Sequence, residues 1–216
     1  MLGSMKQIAF ACALALAAPL AVSLPLTLMA PAAARAAEKL PLSAISAYLN
    51  GITTAKSSFT QINDDGSLST GQLFLKRPGR ARFQYDPPSG AAVIVGAGAV
   101  VIHDPKSNQP PESYPLSRTP LSIILASHVD LGRANMVVGH DFDGTATIVT
   151  AQDPDHPDAG SIQLMFTAAP VELRKWVIED ASGARTTVIL GALETGMELP
   201  GSLFTSGGGG VPSNLR

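Results

Sequence analysis

Cysteine is all but absent from this chain. Cys12 is the single one in 216 residues, and it lies inside the first apolar stretch. Aromatic residues make up only 5% and charged residues 15%, although 45% of the chain is hydrophobic. Without a second thiol, disulfide scaffolds and cysteine-rich zinc sites are excluded. A basic excess is also missing, with 15 Lys and Arg against 17 Asp and Glu. That balance gives no electrostatic footprint for nucleic acid or for an anionic membrane surface.

Acidic residues are missing altogether from residues 1–36, and those residues inflate the hydrophobic count. Residues 8–30 are almost unbroken apolar sequence, Lys6 supplies a positive flank, and Ala34-Arg35-Ala36 offers small residues at the two positions that signal peptidase reads. The pattern predicts a cleaved export signal over 1–36. The run could cross about 30 Å of hydrocarbon, but Pro19 and Pro25 interrupt it, which favours a signal over a retained anchor. Cys12 follows Ala9-Phe10-Ala11 with too short an apolar stretch before it to serve as a lipid attachment site, so it leaves with the peptide.

The remaining 180 residues suit one domain with a sizeable core and hold no cysteine. Loss of Lys6 and Arg35 leaves 13 basic against 17 acidic residues, a net charge of −4 where the whole chain carries −2. Such an exported domain must be held together by packing alone.

Leu42, Ile45, Tyr48, Leu49 and Ile52 recur at steps of three and four between Pro41 and Gly51, which predicts an amphipathic helix. From Ser57 the period changes to two. Short runs at 58–62, 70–77, 81–85, 91–95 and 99–103 are separated by Gly, Asp, Asn or Pro, and a second series follows at 135–140, 145–151, 161–167, 171–179 and 185–193. Asp143-Gly144, Ala169-Pro170 and Ser182-Gly183 sit between such runs. This is the spacing of antiparallel hairpins and argues against a doubly wound parallel sheet.

Between the two series, residues 119–126 predict a short helix with Thr119 and Pro120 as cap and first-turn residue. It is apolar nearly all round, so it must cover something apolar, and a sheet with one greasy face is the natural partner. Residues 201–216, with Gly207 to Gly210 in one run, read as a mobile tail.

Arg77 does not fit its face. Alternation puts Gly71, Leu73, Leu75 and Arg77 on one side of their strand and Thr70, Gln72, Phe74 and Lys76 on the other. The next strand separates Ala81, Phe83 and Tyr85 from Arg80, Arg82 and Gln84, the latter set expected in solvent. Arg77 either finds backbone carbonyls or side chains of a covering helix, or curls out to water along its aliphatic stem.

Ser58-Phe59-Thr60-Gln61 after an amphipathic helix, Leu73-Phe74-Leu75-Lys76-Arg77-Pro78-Gly79-Arg80, and Tyr85-Asp86-Pro87-Pro88 resemble the periplasmic outer-membrane lipoprotein carrier family, LolA. The resemblance runs on through Thr119-Pro120-Leu121 and the later strands. It implies an incomplete antiparallel β-barrel whose apolar concave face is covered by short helices. It also implies that Arg77 holds the helical lid closed and that the lid opens when lipid enters. Leu73, Leu75, Ala81, Phe83, Tyr85, Leu121, Ile124 and Leu125 are the candidate lining of the acyl cavity or its cover, with ordinary core packing as the alternative role. Ala81 stands where the family commonly has a bulky aromatic, and the Gly-rich end after Phe204 replaces a Pro-rich strand and loop.

Other chemistry is poorly supported. Asp141-Phe142-Asp143-Gly144-Thr145 matches the Asp-x-Asp-Gly-Thr loop of haloacid-dehalogenase-type phosphatases, but only 71 residues follow Thr145 and they read as hairpins. An Asp-Gly turn explains the same residues. Asp153, Asp155, His156 and Asp158 are broken by Pro154 and Pro157 and lack the EF-hand pattern. His103, His128 and His140 are scattered, with no metal-ligand or triad spacing. The expectation is a monomeric, non-enzymatic periplasmic carrier over 37–200, without cofactor or metal. It would take acylated lipoproteins from an inner-membrane ABC transporter to an outer-membrane acceptor. A lipid- or lipoprotein-sensing regulatory module of the same fold is the alternative.

Overall fold

The computed structural model describes residues 38–207 and 210–215, so the expected export signal and Cys12 lie outside the described residues. The first element is α1 (Leu42–Gly51), entered through Pro41, whose carbonyl accepts the N–H of Ala44 at 3.0 Å and of Ile45 at 3.2 Å. Ile45 and Leu49, four residues apart, are its buried stripe.

Six strands follow: β1 (Thr54–Ile62), β2 (Leu68–Lys76), β3 (Arg80–Tyr85), β4 (Ala92–Gly96), β5 (Ala99–His103) and β6 (Glu112–Pro115). After α2 (Leu121–Leu125) come β7 (Val137–Phe142), β8 (Thr147–Gln152), β9 (Gly160–Ala168), β10 (Val171–Asp180), β11 (Arg185–Leu190) and β12 (Glu194–Thr195). Both expected hairpin series are present. β6 and β12 are additions that periodicity does not reveal, because one is a wholly exposed edge strand and the other has two residues.

The strands form one antiparallel sheet in the order β6-β5-β4-β3-β2-β1-β11-β10-β9-β8-β7, with β12 on β1. Each meander pairs neighbours in sequence, and β1 and β11 join the two, with Phe59 opposite Leu190. The sheet is not closed: β6 and β7 are its two ends. The chain passes from one end to the other through residues 116–136, which carry α2.

One face of this sheet holds the main core. Phe59, Leu73, Ala81, Phe83 and Val95 from the first meander meet Val149, Ile162, Leu164, Phe166, Trp176, Val188 and Leu190 from the second, together with Ile45, Leu49 and the apolar residues of α2. Leu73 stands opposite Phe83 and Leu75 opposite Ala81 across the β2–β3 ladder. Gly71, beside Phe59 in the register, leaves room for the Phe59 ring, which lies 2.9 Å from where a Cβ would stand.

Three expectations need correction. Thr119 does not cap α2: its hydroxyl donates to the Leu116 carbonyl at 2.9 Å, closing the preceding 3-10 turn, and Pro120 occupies the cap position. The polar side of β3 is not all in solvent. Arg82 is buried, its Nη1 donating to the Leu203 carbonyl at 3.2 Å and its Nη2 to Gln84 Oε1 at 2.7 Å. The residues read as a loose tail supply that cover. Gly201–Phe204 form a 3-10 turn, and Leu203, Phe204 and Val211 bury against Phe74 and Leu199 in a second core on the outer face. Glycine dominates the composition there, but three large side chains in fifteen residues suffice to anchor it.

Candidate ligand cavity and its lid

α1, α2 and the loop after α2 lie together over the main core and are tied to each other and to the sheet by a small set of polar side chains. Arg77 leaves the end of β2 on the side shared by Leu73 and Leu75, as alternation requires. It does not curl out to water. Nε and Nη2 donate to the Ala126 carbonyl, just past α2, at 3.1 and 2.6 Å. Nη1 donates to the Leu49 carbonyl in the last turn of α1, and Nη2 also reaches Asn50 Oδ1 at 3.3 Å. Two residues on, the Gly79 N–H donates to the Leu125 carbonyl at 2.8 Å.

All of these acceptors are uncharged oxygens. Burial pushes the Arg77 guanidinium below its ordinary pKa, yet so basic a group keeps its proton. A fixed cation therefore sits at the C-terminal turn of α1, where free carbonyls and the helix dipole favour it. The five-donor fork lets one side chain hold two helices at once.

Asn50 is the second tie. Its Nδ2 donates to the Val129 carbonyl at 2.8 Å and its Oδ1 accepts the Val129 N–H at 2.9 Å. Ser46 Oγ accepts the Leu131 N–H at 3.1 Å, so α1 grips the loop following α2 at two places one turn apart. On the other side of α1, Tyr48 Oη accepts the Leu173 N–H at 3.1 Å, at the irregularity in the β9–β10 register between Leu173 and Lys175. Tyr48 belongs to the periodic stripe of the helix, whereas Ser46 and Asn50 do not stand out in the sequence. Asn50 sits at the helix end as any surface Asn would.

Beneath the lid is a cavity of about 30 Å³ bounded by Leu49, Ile52, Leu73, Leu75, Ile124 and Trp176, with Arg77 at its margin. That is room for one or two waters. A larger space of about 190 Å³ lies further along the same core, walled by Phe83, Tyr85, Leu121, Trp176 and Val188 and rimmed by Gln61, Asp180 and Thr186. Phe59, Phe83, Tyr85 and Trp176 meet edge to face, with centroids 5.3 to 6.2 Å apart. The Tyr85 hydroxyl donates to Gln61 Oε1 at 2.7 Å, and burial pushes its pKa up.

The structure thus brings Leu73, Leu75, Arg77 and Ile124 to one cavity and Phe83, Tyr85 and Leu121 to the other. Ala81 and Leu125 are buried in the same core and line neither. Trp176, the only tryptophan of the chain, borders both.

The competing motifs resolve into turns and ion pairs. Asp143 Oδ1 accepts the N–H groups of Thr145 and Ala146 at 2.8 and 2.7 Å, closing the β7–β8 hairpin, and these bonds lower its pKa. Asp158 pairs with Arg118 at 3.0 Å and Asp155 with Arg133 at 2.8 Å, joining the β8–β9 loop to the two flanks of α2. Among the described residues no cluster of three or more His, Cys, Asp or Glu side chains could hold a metal ion, and no helix is long and apolar enough to cross a membrane.

The family model described as outer membrane lipoprotein carrier protein LolA matches residues 50–206, well over half of the chain. The protein belongs to the LolA family. An outer-membrane lipoprotein carrier protein of Chromohalobacter salexigens is 29% identical over 169 residues, covering 74% of this chain and 80% of that one. Among solved structures, a putative outer membrane lipoprotein-sorting protein domain from Vibrio parahaemolyticus is similar with a TM-score of 0.47 at 12% identity, covering 77% of this chain and 95% of its own. A LolA superfamily protein from Nitrosomonas europaea gives 0.41 at 13% identity, covering 77% and 98%. The LolA match begins at the end of α1 and ends inside the outer-face cover, so it includes Asn50, Arg77 and the cavity residues from the sheet and α2 but not Leu49.

Proposed function

We propose that this LolA-family chain is an exported periplasmic carrier. It would bind the acyl chains of lipoproteins released from the inner membrane by an ABC transporter and deliver them to an outer-membrane acceptor. In this reading residues 1–36 are a cleaved signal, residues 37–200 form the carrier domain as a monomer, and Arg77 fastens the lid.

The physical problem is one of solubility. Each buried CH₂ contributes about 0.8 kcal/mol, so a protein with two or three long acyl chains is held in its membrane by tens of kcal/mol. Carriage through water needs an apolar enclosure that opens to accept the chains and shuts when empty. The observation that carries the reading is the pair of helices bonded by Arg77 through two neutral carbonyls over an apolar core that keeps spaces of about 30 and 190 Å³. Aliphatic and aromatic contacts without directional bonds bind any acyl chain loosely enough to pass it on.

The test is to purify the exported protein from a host that makes lipoproteins and to look for co-purifying acylated protein, in the wild type and in Arg77→Leu. Acylated protein bound to either form is the expected result. Its absence from both would sink the carrier reading. A sensor would instead bind a signalling partner and fail to extract lipoproteins from membranes.

A further inference from the structure

Trp176 has a buried indole Nε1 with no hydrogen-bond partner, and it is the one such side-chain atom found among the described residues. The residue is only 1% exposed. A buried N–H left without an acceptor is unfavourable, and native cores rarely keep one without a reason. Its neighbours offer none. Trp176 stands between Leu164 on β9 and Val188 on β11, and its close ring contact is Phe83, at 6.2 Å and 86°. An aromatic face is a far weaker acceptor than a carbonyl oxygen.

The position of the ring is as telling as the missing partner. Trp176 borders both spaces, the small apolar one of about 30 Å³ under the lid and the larger cleft of about 190 Å³, open to solvent, that Gln61, Asp180 and Thr186 also line. A molecule threaded through both would put its apolar part beneath the lid and its polar part towards those polar residues. The junction between the two parts would lie beside the indole. In an acylated molecule the junction is a carbonyl, attached to oxygen or nitrogen, and its oxygen accepts hydrogen bonds.

We propose that the Trp176 indole N–H is the hydrogen-bond donor for the carbonyl oxygen of a bound acyl ester or amide. This rests on the carrier reading above and adds to it a polar anchor. The lid and the aliphatic walls supply affinity for hydrocarbon of any kind, whereas Trp176 distinguishes an acyl chain from a plain alkyl chain. It also fixes how deep the chain sits. The donor is a single neutral N–H, so the discrimination is modest, roughly fivefold in Kd for one carbonyl.

The experiment compares dioctanoylglycerol with its dioctyl ether analogue, which has the same chain length and no carbonyls, on the exported protein freed of lipid. Because the chain has one tryptophan, its indole gives one side-chain N–H resonance in a ¹⁵N-labelled sample. The expected result is a downfield shift of that resonance with the diester and not with the diether, and roughly fivefold tighter binding of the diester. Trp176→Phe should bring the two ligands to equal affinity. Equal affinities and equal shifts in the wild type would overturn the proposal and leave the carrier reading intact. Binding of neither ligand would overturn both. The wild-type comparison alone decides the matter if Trp176→Phe fails to fold.

Discussion

Arg77 at the end of β2 and Ala126 at the end of α2 are joined by two hydrogen bonds to one carbonyl, from Nε at 3.1 Å and from Nη2 at 2.6 Å. The same guanidinium reaches Leu49 in α1, so one side chain bonds to both helices, alongside the ties that Asn50 and Ser46 make to the loop after α2.

Arg77→Lys tests that arrangement. A lysine ammonium is a point donor on a flexible stem and cannot span both carbonyls as the planar fork does. Charge-assisted hydrogen bonds contribute about 1.5–3 kcal/mol each. Amide hydrogen exchange in residues 121–126 should therefore accelerate at least about tenfold, while amides of β9 and β10 keep their wild-type rates. Unchanged lid exchange would show that other contacts hold the lid.

Asn50→Ala removes both hydrogen bonds to Val129 and one of the acceptors of Arg77. The Val129 side chain is buried, so its backbone groups are poorly placed to recover water. A loss of about 1–2 kcal/mol is expected, or some 2–8 °C in Tm for a domain of this size. Denaturant and thermal unfolding measure it. The substitution touches no residue of the outer-face core.

Gly96→Ala probes the outer cover instead. A Cβ at Gly96 would collide with the Phe204 carbonyl, which is backbone and cannot swing aside. The segment from Leu199 to Phe204 should detach, exposing Arg82 and Phe74. Limited proteolysis is expected to cut between residues 199 and 207 in the variant before it cuts the wild type. Lid exchange near Arg77 should not change, since the two cores lie on opposite faces of the sheet.

Alkaline pH should weaken the fold. Burial is the first cause that raises the pKa of both Tyr48 and Tyr85, so the folded state holds those protons more tightly than the unfolded chain does. Their contribution is complete below the unfolded value near 10 and is lost as pH rises through the folded values. The free energy of unfolding should fall above about pH 10, with a shallower fall in the Tyr48→Phe, Tyr85→Phe double variant.

Much of this architecture is legible in the sequence because its strands obey period two and its turns use Asp-Gly, Ser-Gly and Pro. Arg77 stood out for the same reason, as a charge in register with Leu73 and Leu75. What alternation could not show was Trp176. Counting in twos from Val171 puts Lys175 on the inner face and Trp176 on the outer, and the register shift between Leu173 and Lys175 reverses this. Asn50 and Ser46 escaped because their partners, Val129 and Leu131, are backbone groups about eighty residues away. Arg82 looked solvated because its cover comes from residues after Pro200, whose glycine content masks Leu203 and Phe204.

A closed barrel has a fixed circumference, set by its strand number and stagger. Here the seam between β6 and β7 is spanned by a flap of chain that is tethered at both edges. In the carrier proposed above, the girth of this open sheet would follow the thickness of the cargo without breaking a ladder. Closure of that carrier after release would be a rearrangement within one chain, its rate independent of protein concentration.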